Sequence, residues 1–225
     1  MGYEVVLVSS GAIAVGRNKL NMTSKPDSMR MKQAAAAVGQ CSLMYLYDQN
    51  FSEIMTRLLH RFFSMRKISN RKQKKENLIN TFNALLEMGV IPIVNENDSV
   101  SYKEIESEDR LFGDNDMLSA VVAVLCRARH LVILSDIDGF YDHDPRLYPN
   151  AKLIEQIDTI DDSVYALAGG AGSRRGTGGM RTKLQAAALA TSQGTDTIVT
   201  NGKHPEALYD IVKGLHAGTL FPGKI

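Results

Sequence analysis

The 225 residues carry 26 Lys and Arg against 25 Asp and Glu, a formal net charge of +1. So even a balance creates no field to draw in nucleic acid or a membrane surface. No apolar run reaches the roughly 18–20 residues of a membrane span, and two cysteines are too few for a disulfide-stapled scaffold.

In chain order, MGYEVVLVSSGA lacks a basic start and passes straight into an apolar run, so it does not read as a secretory leader. Val6 stands where N-myristoylation wants Ser or Thr. Val5–Val8 predicts a buried strand, and Met31–Tyr47, rich in Ala with Leu and Met, predicts a helix. Ile54–Lys75 lacks a strand-like pattern. Its basic half, Arg66–Lys75, reads as a solvated arm in preference to a nucleic-acid contact. Asn77–Leu86 places Leu78, Phe82, Leu85 and Leu86 on one helical face. Ile91–Val94 predicts a second strand, and Met117–Val124, apolar nearly all round, a buried helix. Leu131–Leu134 and Thr197–Val199 predict two more strands. Met180–Thr191 predicts a helix carrying Leu184, Ala187, Ala188 and Leu189, and Pro205–Leu215 one that opens on a first-turn proline. Cys41 and Cys126 fall in apolar helix-like runs and are expected to be buried thiols in a reducing, cytoplasmic setting.

Strands alternating with helices predict an open, mostly parallel α/β sheet in a single domain. Ligands bind such sheets at the carboxyl ends of the strands. Each strand here runs into small polar or acidic residues: Ser9-Ser10-Gly11, Asn95-Glu96-Asn97-Asp98, Ser135-Asp136 and Thr200-Asn201-Gly202. Ser9-Ser10-Gly11 can offer backbone N–H groups to an anion or simply supply a serine N-cap. Gly113-Asp114-Asn115-Asp116 can order a cation or lysines, or can be a capping turn before the buried helix. Four polar residues at 95–98 are costly to bury without partners, though a surface turn also accounts for them. The segment from Ser135-Asp136 through Gly139-Phe140-Tyr141 to Asp144-Pro145-Arg146 can line a nucleotide pocket or be a plain connection. Gly176, Gly178 and Gly179 precede a helix bearing Lys183, without P-loop spacing. They can cradle a phosphate or only give flexibility. The five histidines show no metal-ligand spacing, and no Gly-x-Ser-x-Gly elbow occurs.

Taken together, VLVSSGAIAVG (6–16), KQAAAAVGQ (32–40), NTFNALLEMGVIPIVNENDSV (80–100), FGDNDMLSA (112–120), LVILSDIDGFYDHDPR (131–146) and GTGGMRTKLQAA (176–187) resemble the amino acid kinase family over most of the chain. The resemblance implies a three-layer αβα sandwich with a central, mostly parallel sheet. It implies ATP- and Mg²⁺-dependent phosphorylation of the γ-carboxylate of L-glutamate, toward proline. By matching position, Lys183 and Asp116 are the catalytic pair, Asp116 holding lysine in place. Ser10, Asp98 and Asn115 would bind glutamate. Ser135, Asp136 and the run Thr177, Gly178, Gly179, Met180, Arg181, Thr182 and Lys183 would bind the nucleotide. No protein-held metal is expected, nor a membrane or nucleic-acid partner. The same resemblance implies a homo-oligomer and proline as a feedback inhibitor. Val5–Val8 matches the family's second strand, so residues 1–225 are expected to be a kinase domain without its opening strand and phosphate-contacting lysine, and without an appended C-terminal domain. An alternative is a module that binds both ligands and transfers poorly.

Overall fold

A computed structural model of the chain describes residues 2–52, 58–60, 72–95, 115–168 and 179–224. It divides into two compact units, Met1–Asn115 and Asp116–Ile225.

In the first unit the order is β1 (Leu7–Val8), α1 (Ala12–Lys19), α2 (Met29–Ser52), β2 (Leu58–His60), α3 (Lys72–Glu87) and β3 (Ile91–Val94). Strand β3 is central, parallel to β1 on one side, with Leu7 opposite Ile93, and to β2 on the other, with Leu58 opposite Ile91. The run 91–94 forms a strand as its β-branched content predicts, although Pro92 removes one ladder donor. Leu78, Phe82 and Leu85 of α3 are buried, spaced four and three apart as one helical face requires. On α1 and α2, Ala12, Leu43 and Met44 close over Ile93, with Leu7, Val15 and Tyr47 packed beside them. The two helices approach closely because Gly16 and Gly39 lie at their crossing. A Cβ on Gly16 would collide with the Ala35 carbonyl, and one on Gly39 with the Ala12 carbonyl.

The second unit holds α4 (Asn115–Cys126), β4 (His130–Ser135), α5 (Asp162–Ala168), α6 (Met180–Thr191), β5 (Asp196–Asn201), α7 (Ala207–Val212) and β6 (Thr219–Phe221). Strand β5 pairs in parallel with β4 along its whole length, from His130 opposite Asp196 to Ser135 opposite Asn201, and antiparallel with β6. Thr197, Ile198, Val199 and Thr200 are all buried, as in a strand covered on both faces. The core joins Ala120 and Ala123 of α4, Leu131 and Ile133 of β4, Leu184, Ala187 and Ala190 of α6, Val199, and Phe140 and Phe221. The buried hydroxyl of Thr219 is satisfied, accepting from the Phe140 N–H at 2.7 Å and donating to the Ile154 carbonyl at 2.7 Å.

Helices α1, α3, α4, α6 and α7 end alike. A left-handed residue (Asn21, Gly89, Arg127, Gly194 or Gly214) follows the last turn, and the next N–H reaches a carbonyl five residues back, as Val90 does to Leu85 at 2.9 Å. No helix of the described residues is long and apolar enough to cross a membrane.

The structure corrects several expectations. The first strand is only Leu7–Val8, with Val5 47% exposed. The Ile54–Lys75 segment does contain a strand, β2, whose three residues are too short to show a period-2 pattern. Residues 61–71 lie outside the described residues, so of the basic stretch Arg66–Lys75 only the start of α3 is seen. The final helix spans Ala207–Val212, Pro205 belonging to the turn before it. Cys41 is exposed, because it lies on α2 nearly opposite Leu43, away from the centre of the packed face. Cys126 is half-buried, and burial pushes its thiol up to about 11.

Glycine to alanine inside a helix ordinarily stabilises by about 0.5–1 kcal/mol. Gly39→Ala is expected to do the reverse, destabilising by about 1–3 kcal/mol because the helices must separate. The shift of the urea midpoint checks the sign.

Candidate active site

Helix α4 opens on Asn115 and Asp116, and the carboxylate of Asp116 in its first turn meets the positive end of the helix dipole. Helix α6 opens after Gly179, whose backbone is extended (φ −83°) and gives no side-chain cap. Lys183 Nζ donates to Asp116 Oδ2 at 2.9 Å, and the Thr182 hydroxyl lies 2.9 Å from the same oxygen. The side chains of Lys183 and Asp116 are only 12% and 13% exposed. One residue on, Leu184 is fully buried in the core. The ammonium group is thus tethered by a packed helix, and its counter-charge by another.

Among the described residues Asn115 Oδ1 is buried and accepts no hydrogen bond. An unpaired acceptor of this kind costs free energy until a donor meets it. Arg181 lies over the Tyr165 ring, its guanidinium carbon 5.8 Å from the centroid, and Met180 packs on the core.

At the carboxyl end of β4, Ser135 Oγ donates to Asp136 Oδ1 at 3.4 Å, while Arg146 Nη2 pairs with Asp136 Oδ2 at 2.6 Å. In register beside Ser135, Asn201 Nδ2 donates to Asp138 Oδ1 at 2.7 Å, and Tyr141 donates to Asp138 Oδ2 at 3.0 Å. These two bonds, Asn201 first, hold the Asp138 carboxyl below its usual value.

In the first unit, Ser9 is buried, its hydroxyl 2.8 Å from Tyr47 Oη, and its N–H continues the ladder to the Val94 carbonyl at 2.7 Å. Ser10 is exposed beyond it. Neither serine caps α1, which corrects the N-cap reading: Gly11 occupies that position at φ +99° without a side-chain bond. After β3, the buried Asn95 side chain donates to Gln40 Oε1 at 2.7 Å.

Of the residues singled out from the sequence, Asp116, Thr182 and Lys183 come together, and Ser135 and Asp136 adjoin each other. Glu96, Asn97, Asp98, Gly113, Asp114, Gly176, Thr177 and Gly178 lie outside the described residues. Sequence reasoning missed Tyr47, Gln40 and Asp138, each of which holds a strand-end residue. Gln40 and Tyr47 belong to a helix read only for its apolar face. Asp138 was legible only through the register that sets Ser135 beside Asn201.

The pattern that defines the amino acid kinase family matches residues 1–201, and the chain belongs to that family. It is 52% identical over 224 residues to the glutamate 5-kinase of Clostridium perfringens, spanning 100% of this chain and 82% of that protein. The glutamate 5-kinase of Listeria innocua is 46% identical over 223 residues, 99% of this chain and 80% of that protein. That of Enterococcus faecalis is 44% identical over 220 residues, 98% and 80%. Among solved structures, the isopentenyl phosphate kinase of T. acidophilum superposes with a TM-score of 0.62 at 20% identity, over 98% of this chain and 85% of that one. Carbamate kinase from Giardia lamblia, bound to AMP-PNP, gives 0.62 at 16% identity over the same shares of 98% and 85%. At such identities the likeness speaks to the fold alone, an α/β sandwich as the sequence implied.

Removing one partner of a buried ion pair strands the other charge. Asp116→Ala is therefore expected to cost about 3–5 kcal/mol of stability. The double change Asp116→Leu with Lys183→Met should recover most of it, since an apolar pair of similar volume is often neutral there. Denaturant titration of the two variants checks this.

Proposed function

We propose that the chain transfers the γ-phosphoryl group of ATP to the γ-carboxylate of L-glutamate, forming glutamyl 5-phosphate and ADP, the first step toward proline. The observation that carries this reading is the largely buried Asp116–Lys183 pair at the start of α6, in a chain whose close relatives are named for this reaction. A carboxylate oxygen forms the bond to phosphorus while the bond to the bridging oxygen of ADP breaks. The nucleophile is already ionised, so no general base is needed, and catalysis reduces to positioning and charge stabilisation. Lys183 supplies positive charge to the transferring group, and Asp116 holds its Nζ in place.

Ser10, Asp98 and Asn115 hold glutamate in this reading, the unpartnered Asn115 Oδ1 offering an acceptor to an amino acid's ammonium group. Ser135 and Asp136, with Thr177, Gly178, Gly179, Met180 and Arg181 at the entry to α6, hold the nucleotide. Magnesium bound with the nucleotide would offset the charge on its phosphates. Among the described residues no three His, Cys, Asp or Glu side chains gather into a metal site, and Asp116 Oδ2 is turned to Lys183 and Thr182. A homo-oligomer and inhibition by proline belong to the same proposal. A binding module without transfer is not favoured, since the relatives carry kinase names.

Lys183→Ala is expected to lower kcat by on the order of 10²–10³, the size of one lost transition-state donor, while leaving glutamate binding nearly intact. Trapping the acyl phosphate with hydroxylamine measures it, and unchanged turnover would remove Lys183 from the chemistry. Asp98→Asn and Asn115→Ala are each expected to weaken glutamate about ten- to a hundredfold, as for a lost bond to a charged group, with ATP affinity nearly unaltered. Calorimetry with each ligand separately decides. Loss of ATP binding in Asp98→Asn would put the substrate pocket at the wrong strand end.

A further inference from the structure

Thr182 and Lys183 are consecutive on α6, yet both lie 2.9 Å from one oxygen, Asp116 Oδ2. Consecutive helical side chains diverge by about 100°, so an oxygen that meets both sits over the groove between them. Thr182 Oγ1 also lies 2.8 Å from the Gly179 carbonyl, but a hydroxyl has one proton. If that proton went to the carbonyl alone, Oγ1 lone pairs would face a carboxylate oxygen at 2.9 Å. The charge-assisted bond is the stronger use of the proton. The backbone N–H of Thr182 is also engaged, with the Gly179 carbonyl at 3.1 Å. Threonine in a helix has two accessible χ1 rotamers, and the one present places Oγ1 within reach of both the carboxylate and the Gly179 carbonyl before any ligand arrives.

We propose that Thr182 is a positioning residue for phosphoryl transfer: its hydroxyl fixes Asp116 Oδ2, the carboxylate fixes Lys183 Nζ, and the Thr182 side chain does not bind the nucleotide. The inference rests on the glutamate kinase reading for its consequence in turnover, but the geometry it concerns lies wholly within one unit. It also gives Thr182 a part different from the nucleotide contact that the family resemblance implies for the whole 177–183 run. Thr182 and Lys183 instead turn their side chains onto one carboxylate.

The test uses the full chain with Thr182→Val, which keeps the shape without the donor, Thr182→Ala, which leaves no methyl against the carboxylate, and Thr182→Ser, which restores the hydroxyl. Val and Ala variants are expected to lose about ten- to a hundredfold in kcat, the scale of one charge-assisted bond, with KM for ATP and glutamate little changed. The Ser variant should recover most of the rate. A raised KM for ATP at unchanged kcat would make Thr182 a nucleotide contact and overturn the proposal. So would an equal loss in the Ser variant. A second readout needs no activity: acetylation of lysines in the ligand-free chain, followed by mass spectrometry. Lys183 should label faster in the Val and Ala variants than in the wild type, relative to the exposed Lys152 and Lys203, and at the wild-type rate in the Ser variant. If the wild-type chain formed no acyl phosphate from glutamate, the functional reading would fall. Lys183 labelling would still decide the role of Thr182, and equal labelling in all variants would reject it.

Discussion

An ammonium group and a carboxylate 2.9 Å apart, with side chains 12% and 13% exposed, occupy the first turns of α6 and α4. Either charge would be costly there alone, since an unpaired ion in a low-dielectric setting costs several kcal/mol. The pair therefore ties the two helix starts together, and the apolar remainder of each helix holds the tie. Leu184 follows Lys183 directly into the core, and Ala120 lies one turn beyond Asp116. Slippage of either helix would carry a charge into apolar packing or a core residue toward the charge. Packing in the second unit and the placement of its one buried cation–anion pair among the described residues are thus a single constraint.

The first unit meets a related demand with neutral groups. Polar residues at the ends of β1 and β3 would be costly to bury unpaired. Helix α2 supplies both partners, Tyr47 for Ser9 and Gln40 for Asn95. On its other contact, Gly16 and Gly39 let α1 lie close against it. The same helix thus closes the core at Leu43 and Met44 and satisfies the strand ends. Mutual bonds among Asp138, Asn201 and Tyr141 do comparable work where β4 and β5 end.

Secondary structure was legible wherever a segment was long enough to show its period. The helices around Met31–Tyr47, Asn77–Leu86, Met117–Val124 and Met180–Thr191 emerged with small changes of boundary, and so did three of the four strands. Short pieces were not legible. Three residues of β2 and three of β6 carry no period, and β6 is recognisable only by pairing antiparallel with β5. The exposure of Cys41 escaped because an alanine-rich helix is apolar on more than the face that packs.

By itself the sequence determined the alternation of strands and helices, the polar strand ends and the motifs that carry the family resemblance, because these depend on local propensity and residue order. The meeting of residues 116, 182 and 183 was decided by tertiary structure. No local rule sets a distance between side chains 66 and 67 positions apart in the chain, and only the packing of α4 and α6 on a common core brings them onto one oxygen. The same holds for Gln40 and Asn95, 55 positions apart. Each of these residues was visible as polar, and what it was for depended on which partner the fold placed opposite it.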